Sequence, residues 1–141
     1  MESLPNSLIL DANILFSFFK SDSTRRHLIR ELVKQEVQFF SPDFTFEEIL
    51  SDKDKIKKFA NIDENEFTFL LRLLTKQITS IHKEKYASLL SNAKSLSPHE
   101  KDIHYFALAL FLKIPIWSDE NAFKNQESIE IITTKKLLEL I

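Results

Sequence analysis

Ser7-Leu8-Ile9-Leu10-Asp11-Ala12-Asn13-Ile14-Leu15 is the stretch whose reading decides the fold. Three consecutive apolar residues, Leu8 to Leu10, suit a strand covered on both faces, as in a parallel sheet. Asp11 ends that strand, and Ile14, Leu15, Phe18 and Phe19 follow at helical spacing. In open α/β sheets ligands gather where strands end and helices begin, so Asp11 stands where chemistry collects. Aspartate is also a preferred N-cap, and on this stretch alone that structural role explains it equally well.

Outward from this stretch, short strands and helices alternate. Ser23 is placed to cap a helix carrying Leu28, Ile29, Leu32 and Val33, together with Arg25, Arg26, Arg30 and Lys34. Val37 to Phe40 predicts a second strand ended by Ser41-Pro42, with Pro42 at the first position of a helix running through Phe46, Ile49 and Leu50. A charged, solvated helix over residues 51–58 comes next. Asp63 then opens a helix with Phe67, Leu70, Leu71 and Leu74; a short strand over 77–81 and an amphipathic helix over 83–96 follow. Ser97-Pro98-His99-Glu100 reads as a helix start with a serine cap, proline at the first position and glutamate at the third. The almost wholly apolar segment after it, Ile103 to Leu112, predicts the central buried helix. Pro115-Ile116-Trp117 and residues 129–132 read as the last strands, with a brief helix over 121–126 between them and a final helix capped by Thr133. Strands separated by helices, without hairpin signals, predict one domain over residues 1–141. Its class is α/β, a three-layer α/β/α sandwich around a short parallel sheet.

Composition narrows the chemistry. The 141 residues suffice for a real core, and thirteen Phe against one Trp and two Tyr suggest that Phe and aliphatic side chains fill it. There is no glycine, which excludes glycine-cradled phosphate sites and leaves turns with φ > 0 to Asn or Asp. There is no cysteine, which excludes disulfides, thiolate-ligated metals and thiol catalysis. A net charge of −2 offers nucleic acid no general attraction, so such binding needs a local basic patch. No apolar run reaches transmembrane length, and MESLPNSL lacks a signal core, so a cytoplasmic protein without membrane contact is expected.

In a parallel sheet the strand ends and following helix starts face one edge. The acids expected there are Asp11, then Glu47 or Glu48 after the second strand, Asp102 at the start of the buried helix, and Asp119 and Glu120 after Ile116-Trp117. Clustered carboxylates resist ionisation unless cations sit among them, and oxygen-only donors favour Mg²⁺ or Mn²⁺. Such ions act mostly on phosphates. Glu47 and Glu48 also suit the helix dipole, and Glu100 is explained as the capping partner of Ser97. Asp102 lines up with Phe106 and Ala109 on the flank of an apolar face, where an idle acid would be destabilising. The four histidines read as surface or packing residues, and no serine has the context of a nucleophile. Arg25, Arg26, Arg30 and the lysines of 53–58 read as solvated faces that are also the best candidates for gripping phosphates.

With these residues assembled, the chain resembles the PIN domain, the fold of many Mg²⁺-dependent ribonucleases, nearly from end to end. Leu10-Asp11-Ala12-Asn13-Ile14-Leu15 is similar to the family's opening aspartate with Asn two residues on. Thr45-Phe46-Glu47-Glu48-Ile49 resembles the second motif and favours Glu48. Asp102-Ile103-His104-Tyr105-Phe106-Ala107 resembles the third, and Ser118-Asp119-Glu120-Asn121-Ala122-Phe123 the fourth. Aligned through Ser118 and Phe123, the family's last acid falls on Glu120. A one-residue shift places it on Asp119 and keeps the family's aspartate, and residue type tips the choice slightly to Asp119.

The resemblance implies endonucleolytic cleavage of RNA by metal-activated water, leaving a 5′-phosphate and a 3′-hydroxyl. Asp11, Glu48, Asp102 and Asp119 or Glu120 would hold one or two Mg²⁺ or Mn²⁺ ions, with Asn13, Ser118 and Glu47 orienting ligands or water from behind. Many short members are toxins of bacterial or archaeal toxin–antitoxin pairs, bound by a small antitoxin and often dimeric, so an antitoxin and a homodimer are expected partners. Two other readings are a PIN-like binding module whose metal site is weakened by the glutamate, and a receiver-like signalling domain. The latter lacks a paired acid near Asp11 and a lysine after a late strand.

Overall fold

The computed structural model describes residues 2–141; Met1, at the head of the amino-terminal stretch, lies outside them. Strands β1 (Ser7–Leu10), β2 (Gln38–Pro42), β3 (Ile78–Ile81), β4 (Ile116–Trp117) and β5 (Ile131–Ile132) form one sheet in the order β3-β2-β1-β4-β5. Every pairing is parallel, as the alternation of strands and helices predicts. The helices are α1 (Ala12–Ser17), α2 (Thr24–Lys34), α3 (Phe44–Ser51), α4 (Lys53–Ala60), α5 (Glu64–Gln77), α6 (Lys83–Tyr86), α7 (Leu90–Leu96), α8 (Ile103–Leu112) and α9 (Thr134–Leu140).

Successive residues of a strand point to opposite faces, and β1 divides its side chains between two cores accordingly. Leu8 and Leu10 join Leu28, Ile49, Phe67 and Leu137, from α2, α3, α5 and α9. Ile9 joins Tyr86, Ala93 and the buried face of α8 on the other side. The result is the expected three-layer α/β/α sandwich. Phe19 stacks on Phe67 at 5.0 Å between ring centroids, and Phe106 meets Phe123 at 4.9 Å, so aromatic pairs sit in both cores. Asp11, Ser23, Asp63 and Thr133 each accept a bond from the backbone N–H three residues on, fixing the starts of α1, α2, α5 and α9.

The chain runs from β1 outward to β2 and β3, then crosses back to β4 and β5 on the other side of β1. Connections leaving the carboxyl ends of β1 and β4 therefore diverge, and a crevice opens between them. Asp11 departs from one wall of it and Ser118-Asp119-Glu120 from the other.

Local structure departs from the sequence-based expectation at five places. Pro42 ends β2 rather than starting α3, which begins at Phe44. The Asp43 N–H donates to Ile81 O at 3.1 Å, so the imino position before it faces the β1 side, where pairing ends at Phe40 and no donor is needed. Ser97 does not cap α8. It ends α7, its N–H donating to Ala93 O at 2.9 Å, and a 3₁₀ turn over Glu100–Asp102 leads into α8 instead. The helix expected over 83–96 is interrupted by a 3₁₀ turn at Ala87–Leu89. The Tyr86 hydroxyl pairs with His104 Nδ1 at 2.7 Å, and the chain tightens just past that anchor while α7 continues along α8. The brief helix near 121–126 is likewise a 3₁₀ turn, Asn121–Lys124.

The fifth departure concerns positive φ. Asn61 adopts it as expected (φ 55°), yet so do Glu36 (63°) and Lys113 (59°). Lys113 closes α8, donating to Ala109 O at 2.8 Å, and Pro115 two residues on bars further helix. A residue with a Cβ pays about 1–2 kcal/mol for that conformation. Replacing exposed Lys113 by glycine is therefore expected to raise the unfolding free energy in urea by about 1 kcal/mol. An unchanged or lowered midpoint would contradict this account of the α8 terminus.

Candidate metal centre

The crevice at the ends of β1 and β4 holds a pocket of about 210 Å³. Asp11, Glu48, Asp102 and Glu120 all line it. Asp11 comes from the end of β1, Glu48 from α3, Asp102 from the turn entering α8, and Glu120 from the loop after β4.

Asp11 plays both roles that its position allows. Its Oδ1 accepts the Ile14 N–H at 2.9 Å and so caps α1, while the carboxylate borders the pocket. Asp102 occupies the cap position of α8 but bonds no backbone N–H there, so its carboxylate is not committed to the helix. The Glu120 N–H donates to Ser118 Oγ at 3.1 Å, and the Glu120 carboxylate accepts from Asn13 Nδ2 at 3.4 Å. Ser118 is fully buried, and its hydroxyl lowers the Asp11 carboxyl. Asn13 thus braces the two walls. Glu47 is exposed and does not line the pocket.

Asp119, next to Glu120, turns elsewhere. Its Oδ2 accepts from Arg25 Nη2 at 2.7 Å, from Arg25 Nε at 3.1 Å and from Thr134 Oγ1 at 2.5 Å. Its Oδ1 accepts the Thr134 N–H at 2.8 Å. The same guanidinium donates to Ser17 Oγ at 2.7 Å and Asn13 O at 3.3 Å, tying α1, α2 and the start of α9 to the loop after β4. The preference for Asp119 rested on residue type; these bonds commit its carboxylate to Arg25 and Thr134. Asp119 does not line the acidic pocket and borders an adjoining one, together with Asp11, Asn13 and Glu120.

Three of the carboxyls are hard to ionise. Burial pushes Asp11 up to about 6, against the opposing pull of the Ser118 hydroxyl, the Ile14 amide and Arg25, and Asp102 adds to the rise. Burial also raises Glu48, helped by the charges of Asp52 and Asp102, and raises Asp102, helped by Glu120. At Asp119 burial works upward too, but the Thr134 and Arg25 bonds outweigh it and hold the carboxyl below its usual range.

Asp52, Lys55, Lys101 and Tyr105 complete much of the lining. Tyr105 lies one helical turn beyond Asp102, a spacing that signals its place in the pocket, and its hydroxyl pairs with Thr45 Oγ1 at 2.8 Å. Lys101 carries a sequence signal only as Asp102's neighbour, and Asp52 carries none. Of the basic residues expected to meet phosphates, Arg25 is engaged by Asp119, and Arg26 donates to Phe18 O at 2.5 Å. Lys53 and Lys57 pair with Glu64 at 3.1 and 3.0 Å. None of the four histidines lines the pocket, and His104 packs between Phe44 and Tyr86.

Oxygen donors alone, with three carboxyls raised by burial and by repulsion among them, fit a hard divalent cation in chemical kind. Among the described residues no three acidic or histidine side chains are drawn in around a single point. The fit rests on the donors and their shared pocket.

A family model described as PIN domain matches residues 9–139, nearly the whole chain, and the protein belongs to that family. A search of curated proteins finds no match. PIN domains are generally nucleases, and the residues lining the pocket fall within the matched span. Among the described residues no helix is long and apolar enough to cross a membrane.

The raised Asp11 carboxyl has a measurable consequence for the metal-free protein. As pH rises from its ordinary 3.8 to about 6, the unfolded chain gives up a proton that the folded protein keeps. Stability therefore falls through that window, and the loss is complete above it. Asp11→Asn keeps an oxygen for the Ile14 amide and removes the buried charge. In chelator, the variant is expected to be more stable than wild type by roughly 2 kcal/mol at pH 8 in urea unfolding, with little gain near pH 4. An equal gain at both pH values, or a loss at pH 8, would contradict this electrostatic reading.

Proposed function

We propose that this PIN-domain protein is a Mg²⁺- or Mn²⁺-dependent endoribonuclease. The observation that carries the reading is the meeting of Asp11, Glu48, Asp102 and Glu120 in one pocket at the sheet's switch point. These four carboxylates would hold one or two ions, with Glu120 as the fourth ligand. A bound dication there supplies Lewis-acid stabilisation of phosphate oxygens and lowers the pKa of water.

The remaining work falls to the chain's own groups. Ser118 accepts the Glu120 N–H and its hydroxyl favours the charged form of Asp11, and Asn13 keeps the Glu120 side chain turned inward. Asp119, locked to Arg25 and Thr134, acts as a strut that fixes the loop presenting Glu120. Lys101 and Lys55 line the same pocket and offer cations to the scissile phosphate and its neighbour. Tyr105, its phenol raised by burial, stays protonated and orders the pocket floor through Thr45.

The role of toxin, with a small antitoxin partner and a homodimeric state, belongs to this proposal through the resemblance; a neighbouring short reading frame for a DNA-binding antitoxin supports it, and the absence of one weakens it. For the nuclease itself the test is cleavage of RNA with Mn²⁺ or Mg²⁺, with and without chelator. Cleavage is expected to require metal, and Asp11→Asn to lower it by at least about 100-fold. Glu120→Gln is expected to lower metal affinity and cleavage more than Asp119→Asn, whose effect through the strut is about tenfold. Metal-independent cleavage, or none by wild type, would remove the enzyme reading in favour of a binding module. A larger loss of metal affinity in Asp119→Asn would return the fourth ligand to Asp119.

A further inference from the structure

We propose that the trough beside the acidic pocket, between α1 and α4, is a subsite for one unpaired base of the substrate strand, stacked on Phe59 with its phosphate at Lys55. The inference rests on the nuclease reading for the identity of the strand.

The trough has a volume of about 420 Å³, twice the 210 Å³ of the acidic pocket. The two are continuous, since Asn13, Phe16, Asp52 and Lys55 line both. Its floor is buried Ile56, one wall is half-buried Phe16, and Phe59 stands at the lip with 56% of its surface exposed. Phe59 lies on α4, a helix otherwise made mostly of charged residues, and Lys20 Nζ sits 5.1 Å from its ring centroid. Lys55 differs from the other lysines of that helix segment. Lys53 and Lys57 are both paired with Glu64, whereas Lys55 makes no ion pair among the described residues and faces both cavities.

An exposed ring beside an unpaired lysine, continuous with a site for phosphate chemistry, is the combination that single strands use. A basic path tracks the backbone and an aromatic face takes a base, whatever its identity. Charge decides between a strand and an apolar protein segment. Lys55 faces both cavities and Lys101 adds a second cation in the acidic pocket, so phosphates spaced along a strand meet a lysine in each. In a duplex the base faces are buried in the stack, so this subsite would favour unpaired RNA.

The test uses the Asp11→Asn protein with Mg²⁺, which is expected to hold a strand without cutting it, and a fluorescein-labelled eight-nucleotide RNA read by anisotropy. Removing the base at one position of the strand should weaken binding about tenfold, and Phe59→Ala should weaken binding of the intact strand by about the same factor. In Phe59→Ala the penalty for the missing base should vanish, and in Phe59→Tyr it should persist. The RNA annealed to its complement should bind more weakly than the single strand. Unchanged affinity in Phe59→Ala, additive penalties, or no position sensitive to base removal would overturn the subsite. Unchanged strand affinity with loss of inhibition by a co-produced partner protein would assign the trough to protein docking and equally overturn it. The nuclease reading fails separately, through absence of metal-dependent cleavage by wild type, because the subsite is read by binding alone.

Discussion

Burial of carboxyls in one pocket, with repulsion among them adding to it, is the constraint around which this molecule is arranged. Asp11, Glu48, Asp102 and Glu120 are delivered to one pocket by four different elements, and burial raises the first three. Such a cluster opposes folding in the absence of a cation. It is kept in place by structure formed for other reasons. Asp11 is held because it caps α1, Glu48 because Ile49 beside it is buried in the core, and Asp102 because the apolar α8 must start where it does. Each acid is carried to the crevice by a segment whose packing stabilises the fold, so electrostatic strain is concentrated at the site and offset in the two cores.

The adjacent pair Asp119 and Glu120 shows how the loop after β4 divides two tasks. Successive residues of an extended segment point in opposite directions. Glu120 faces the acidic pocket, and Asp119 faces Arg25 and Thr134. The Arg25 guanidinium reaches α1, the β4 loop and, through Asp119, α9, so one cation fixes the relative placement of both crevice walls. This arrangement consumes an arginine that would otherwise be free for phosphate and leaves Lys55 and Lys101 as the cations of the pocket.

Much of this was legible in the residues. The apolar run Leu8 to Leu10 ending in Asp11 specified a covered parallel strand with an acid at its carboxyl end, and the acids after later strands fell into the same crevice because parallel topology sends all such ends to one edge. What could not be read depended on contacts distant in sequence. Between Asp119 and Glu120 the local signals conflict, motif spacing favouring Glu120 and residue type Asp119; Asp119 is drawn away from the pocket by Arg25, 94 positions away, and by a hydroxyl on α9. Ser97-Pro98-His99-Glu100 carries every local sign of a helix start, yet Ser97 is already used to end α7. The chain has no glycine, and its left-handed positions went to Glu36 and Lys113 as well as to Asn61, because helix ends were fixed by packing rather than by residue preference.

The central claim is that the four clustered carboxylates exist to share a divalent cation. Crystals of the protein grown with Mn²⁺ and measured for anomalous scattering at the manganese edge test it most directly. The account predicts one or two peaks in the pocket between β1 and β4, bonded to oxygens of Asp11, Asp102 and Glu120, with Glu48 bonded directly or through water. A pocket without a peak at saturating Mn²⁺, or a peak bound by Asp119 with Arg25 displaced, would contradict it.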